Sequence, residues 1–203
     1  MNRSNNYKLS QPYGIHALGT PSASGAYALR IRLSRAARIR FGRFAGGHPI
    51  VLKAGSYVYI GSAMGNRGAS SLPRRLIRHA TRSTPHHPHT IRTHLIDYFV
   101  NHGMLTPDKP LYPRTKRLHW NVDFMLDLPP ASIAAAYILH TNIPLESQLA
   151  AVVETDSHTV AFAAGLGAND ARGQTHLLRV DGDERWWNHL PHRLDEILRT
   201  MKS

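Results

Sequence analysis

Gly55-Ser-Tyr-Val-Tyr-Ile-Gly61 and, after a gap of ten residues, Leu72-Pro-Arg-Arg-Leu-Ile-Arg-His79 are the stretches on which the reading of this chain turns. The first is apolar on both faces apart from its tyrosine hydroxyls, which predicts a short strand at a central position in a sheet. The second predicts a helix: Ser71 stands at the N-cap position, Pro73 suits the first turn, and Leu72, Leu76 and Ala80 recur as a buried stripe. Arg74, Arg78 and Arg82 form its basic side, and Arg75 and His79, four residues apart, are neighbours. Like charges at this spacing repel unless an anion neutralises them. A tyrosine strand leading into such a helix therefore has the makings of a phosphate site.

Upstream, Gly25-Ala-Tyr-Ala-Leu-Arg-Ile-Arg-Leu33 alternates, with Tyr27, Leu29, Ile31 and Leu33 on one face and Arg30 and Arg32 on the other, as a half-buried strand does. Two shorter strands, 38–42 and 49–52, flank a hairpin turn at Ala45-Gly-Gly47. Residues 1–24, rich in Asn, Ser, Pro and Gly, read as a flexible N-terminal arm. Residues 25–203 read as one α+β domain.

Downstream, residues 83–118 read as an insertion, made of a turn-rich Thr84–His89 segment, a helix over 90–102 burying Ile91, Leu95 and Phe99, and a proline-punctuated loop. The segment 119–126 fits either a helix or a strand. A strand over 134–140 precedes a helix from Pro144 to Glu154, on which Glu146, Leu149, Ala150 and Val153 share one face. Strands over 159–164 and 176–180 flank the glycine-rich Gly165–Gly173 segment, and a helix over 190–201 closes the chain as an extension spanning 181–203.

The formal net charge is +12, and it is one-sided: no Asp or Glu precedes Asp97, while Lys and Arg number 15 over residues 1–96. Arginine outnumbers lysine 20 to 5, which favours bidentate contacts with phosphate. Such a chain is expected to meet nucleic acid or another polyanion. With no cysteine, disulfides, thiolate metal sites and cysteine nucleophiles are excluded. The polar start and the lack of a long apolar run point to a cytoplasmic protein with no membrane partner.

Among residues able to carry chemistry, Tyr27, Tyr57 and Tyr59 come from two strands expected to pair. A tyrosine serves as a base or water-positioner only when a nearby cation lowers its pKa, and Arg75 is the candidate cation. Glu146 is either a first-turn acid favoured by the helix dipole or a ligand for one divalent cation. The histidines at 86, 87, 89 and 94 match no standard zinc spacing, and Gly165-x-Gly lacks the rest of a dinucleotide loop.

On these residues the chain resembles the GIY-YIG nuclease superfamily. The paired signature stands as Gly25-Ala26-Tyr27, with Ala for Ile, and Tyr59-Ile60-Gly61. The superfamily's helix arginine matches Arg75, the His or Tyr four residues later matches His79, and its metal-binding glutamate matches Glu146. More narrowly, the chain looks like an uncharacterised branch associated with endonuclease III-like proteins, through Tyr57–Ala63, the Arg75–His79 block and a Trp-His-Ile-Asp segment that here is Trp120-Asn-Val-Asp123. That branch's Glu-Cys is Glu146-Ser147 here, and two C-terminal cysteines are Ala171 and Gly173, leaving Asp170 and His176.

The resemblance implies a three-stranded antiparallel core flanked by helices, and a nuclease that hydrolyses phosphodiesters, DNA rather than RNA. Glu146 would hold one Mg²⁺ or Mn²⁺; Tyr27 or Tyr59 would position or deprotonate water; Arg75 would stabilise the transition state; His79 would orient the water or a tyrosine. Tyr57, Ser62, Arg74, Arg78, His119, Asp123 and His176 would face the substrate. The rival expectation is a scaffold that binds nucleic acid through its basic first half without turnover.

Overall fold

A computed structural model describes residues 14–106, 116–166 and 174–201. Six strands form one mixed sheet in the order β1 (Ile15–Leu18), β6 (Ala131–His140), β2 (Gly25–Leu33), β5 (Gly55–Ala63), β8 (Leu177–Val180) and β7 (Thr159–Val160). A separate two-stranded ribbon pairs β3 (Ala37–Ile39) with β4 (Ile50–Leu52). The helices are α1 (Leu72–Ala80), α2 (Ile91–Asn101), α3 (Asn121–Leu126), α4 (Glu146–Glu154) and α5 (Glu184–Thr200). The fold is α+β, and the expected antiparallel trio, β6-β2-β5, lies at the centre of the wider sheet.

The sheet separates two hydrophobic layers. Tyr27, Leu29, Ile31, Tyr57 and Tyr59 point into the layer covered by α1, α2 and α3; Ala26, Ala28, Val58, Ile60 and Leu139 point into the layer covered by α4 and α5. The tyrosine strand is therefore buried on both faces, as its unbroken apolar run requires.

Three elements differ from the sequence reading, and a fourth, open between helix and strand, is settled. Residues 15–18 are not part of an arm: they add a strand parallel to β6, held by the buried Ile15 and Leu18, and four residues are too few to reveal strand alternation. Residues 1–13 lie outside the described residues. The segment 119–126 resolves as α3. The 159–164 strand shrinks to β7, only two residues long.

Finally, α5 is N-capped by Asp183, whose side chain accepts from the Arg185 N–H, and runs through Pro191 rather than starting beside it. Trp186, Trp187, Leu190, Leu194 and Leu198 supply the buried stripe that carries the helix past the proline. This longer helix covers the face of β2 that the arginines marked as polar. Arg30 lies 4.6 Å over the Trp187 ring and forms a bidentate pair with Glu184.

The region 83–118 does more than decorate the core. Leu95 and Phe99 of α2 are fully buried in the same layer as the tyrosines. No helix among the described residues is long and apolar enough to cross a membrane. Because Phe99 fills the shared core, Phe99→Ala is expected to cost roughly 3–5 kcal/mol in urea unfolding; an appended helix would cost under about 1 kcal/mol.

Candidate functional site

Tyr27 enters β2 directly opposite Gly61 of β5. Its ring lies across that glycine so closely that a Cβ on Gly61 would stand 2.5 Å from the phenolic oxygen. Residue 61 is glycine because the tyrosine occupies the space a side chain would need. The backbone of β5 and the phenol of β2 thus fix each other at one end of the central strands.

From there a chain of hydrogen bonds runs inward. The Tyr27 Oη is 2.8 Å from His79 Nε2, and His79 Nδ1 is 3.0 Å from Asp123 Oδ1. All three residues are fully buried. Burial would raise the Asp123 pKa, but His79, Lys116 (3.4 Å) and Arg78 (3.0 Å) outweigh it and hold the carboxyl well below the usual range. The N–H groups of His119 and Trp120 add two bonds of 3.2 Å each.

An ionised carboxylate only accepts. Burial keeps the His79 pKa low despite Asp123, so its ring is neutral near pH 7. The single ring proton must then sit on Nδ1, facing Asp123, and Nε2 accepts the Tyr27 proton.

Arg75 arches over the mouth of this chain. Its guanidinium lies 4.3 Å over the Trp120 ring and donates to the Ser62 carbonyl at 3.3 Å. Its charge favours the Tyr27 phenolate, yet burial outweighs it and the Tyr27 pKa ends well above 10. Tyr59, 6.2 Å from Tyr27 between ring centroids, is raised for the same first reason. The expectation that Arg75 depresses the tyrosine pKa is therefore corrected: the proton has an acceptor in His79 instead.

Glu146 reaches the same end of the sheet from the opposite layer, as the first residue of α4. The Ser62 hydroxyl donates to its Oε2, and His176 Nδ1 lies 3.0 Å from its Oε1. Burial opposes ionisation, but His176, Ser62 and Arg75 together lower its pKa. Its side chain remains 31% exposed, so it faces solvent while being held.

The structure thus gathers Tyr27, Tyr59, Arg75, His79, Glu146, Ser62 and His176 at one end of the sheet, with Arg74 half-buried on the same helix. Three residues expected to face substrate are held by other partners. Asp123 has no exposure and serves His79. Tyr57 is buried and donates to the Lys53 carbonyl at 2.6 Å. Arg78 is occupied by Asp123 and the Arg117 carbonyl.

His119 is exposed, its ring edge-on to Trp120. Asp170 and the 167–173 part of the glycine-rich segment lie outside the described residues. His89 is a core residue, placed 2.9 Å from the Leu126 carbonyl and accepting from the Ile133 N–H. Sequence reasoning gave no role to Lys116, whose loop carries no pattern, or to Trp120, whose signal was its place at the head of the Trp-Asn-Val-Asp segment.

A family model described as "Domain of unknown function DUF123" matches residues 26–199. No curated protein and no solved structure matches the chain.

The buried imidazoles make stability pH-dependent. Burial lowers His79, and lowers His89 to about 3, whereas the unfolded chain takes these protons near about pH 6.5. Stability should be full above that pH and fall by up to about 1.4 kcal/mol per histidine per pH unit below it. Asp123, with a depressed pKa, keeps its contribution until about pH 4. Urea unfolding between about pH 7 and pH 5 should show the decline, and His79→Gln should flatten it by one histidine's share.

Proposed function

We propose, from the premise that this chain belongs to the DUF123 family, that it is a divalent-metal-dependent nuclease of the GIY-YIG type acting on DNA. The observation that carries the reading is the Tyr27–His79–Asp123 chain ending beside Arg75 and Glu146.

The donor set at Glu146 suits a hard cation. One ionised, part-exposed carboxylate with a hydroxyl and an imidazole beside it resembles the sparse protein ligation of Mg²⁺, which leaves most positions to water and phosphate. Among the described residues no group of three or more His, Asp and Glu gathers as a closed metal cage. Glu146 would hold the ion, which when bound would polarise the phosphate and stabilise the leaving oxygen.

The residues of the chain itself handle the proton. A buried tyrosine with a raised pKa is a poor standing phenolate. Tyr27 can instead accept a proton from water on its phenolic oxygen while passing its own to His79 Nε2. Asp123 fixes the imidazole tautomer that makes Nε2 the acceptor and balances the imidazolium that results. Water oxygen attacks phosphorus, the ester P–O bond breaks, and the leaving alkoxide takes a proton from solvent water, so that a phosphomonoester and an alcohol leave while His79 returns its proton to solvent. Arg75, already placed between Tyr27 and Ser62, would neutralise charge on the phosphoryl oxygens.

A second reading, a scaffold that binds without turnover, draws support from the depth of Tyr27 and Tyr59, 0% and 3% exposed. One gel assay separates the two. With Mg²⁺ or Mn²⁺ the wild type should cleave DNA and EDTA should stop it; Glu146→Ala and Arg75→Ala should lose roughly 10²–10³-fold or more in rate while binding persists. Asp123→Asn should cost about 10²–10⁴-fold. Failure to cleave single-stranded, duplex or branched DNA or RNA with either metal sinks the enzyme reading.

A further inference from the structure

The β3–β4 ribbon between β2 and β5 takes no part in the site, yet its charge is entirely of one sign. Residues 34–54 contain Arg35, Arg38, Arg40, Arg43 and Lys53 and no Asp or Glu. All five cations are exposed, and among the described residues none of them pairs with an acid.

The underside of the ribbon is firmly seated. Ile39, Phe41 and Leu52 are buried in the tyrosine-side core, and Gly42 packs against Phe124 of α3, the helix that carries Asp123. The outer face is different. Arg38 lies directly opposite Val51, which is 65% exposed, the most exposed large apolar side chain described. A protein gains nothing internally from an acid-free run of exposed arginines beside an exposed valine, because the charges repel one another.

The ribbon's position gives it a use. The Tyr27–Gly61 pair lies two pairs in from one end of the β2–β5 ladder and the Leu33–Gly55 pair marks the other end, roughly 20 Å away at about 3.3 Å per residue. The ribbon begins where the ladder ends, on the layer side of the tyrosines. That offset equals about six base steps of duplex at about 3.4 Å each. A two-stranded ribbon also fits the major groove, which is about 12 Å wide.

We propose that the β3–β4 ribbon is a second contact for duplex nucleic acid, with Arg38, Arg40 and Arg43 on phosphates away from the bond at the Tyr27 site. The inference deepens the nuclease reading and rests on it for the position of that bond.

The test is fluorescence anisotropy in EDTA with a labelled DNA duplex of about 20 base pairs and the matching single strand, between about 50 and 200 mM salt. The variant Arg38→Ala/Arg40→Ala/Arg43→Ala is compared with wild type and with Arg185→Ala, an exposed control on α5 behind the sheet. All three substituted ribbon residues are exposed, so the urea midpoint should not move. The triple variant should lose about tenfold or more in duplex affinity, and its log–log salt slope should shrink by about 2.7, three phosphates at about 0.9 each.

Arg185→Ala should match wild type. An unchanged slope and affinity in the triple variant overturns the proposal, as does a loss confined to the single strand. A wild type that cleaves while the triple variant binds normally leaves the nuclease standing and removes the ribbon. Absence of cleavage with the slope still reduced does the reverse.

Discussion

A carboxylate with no exposure to water stays ionised only if the protein surrounds it with donors, and Asp123 imposes that condition on three separate parts of the chain. It draws Arg78 and His79 from α1, Lys116 from the preceding loop, and the backbone N–H groups at the head of α3. Removing it would strand a buried lysine and an imidazole together, the kind of loss that typically costs about 3–5 kcal/mol. The tautomer of His79, the orientation of Tyr27 and the seating of α3 against α1 all follow from satisfying this one charge.

Much of this frame can be read from local pattern. The strand at 55–61 and the helix from 72 announce themselves because apolar spacing within a few residues decides them. Tyr27, Arg75, His79 and Glu146 stand out by type and by resemblance. Whatever depends on distant partners is silent in the sequence. Lys116 sits in a patternless loop; Arg30 reads as a solvated face until Trp187, more than 150 residues later, stacks under it. The raised tyrosine pKa is likewise invisible, because it is set by how deeply the ring is covered and not by which cation is nearby.

The two layers of the sheet divide the labour. The tyrosine layer holds the Tyr27–His79–Asp123 hydrogen-bond chain and is built by α1 and α3; the opposite layer delivers Glu146 at the start of α4, where Ser62 of the central strand meets it. Strand pleating makes this convergence simple, since Gly61 and Ser62 are adjacent residues facing opposite sides. A site assembled from both faces at a sheet end needs no long loop to reach across.

The place of β1 has a consequence for how the molecule comes into being. It sits on the outer side of β6, which itself separates β1 from β2. As the chain leaves the ribosome, residues 15–18 emerge long before Ala131–His140, the strand they pair with. The hairpin-like pairing of β2 with β5 can form early, but β2 then presents an open edge until β6 arrives to fill it. Assembly is therefore not vectorial: the earliest described strand is among the last to dock, and the nascent protein must carry an unpaired sheet edge through more than sixty residues of further synthesis.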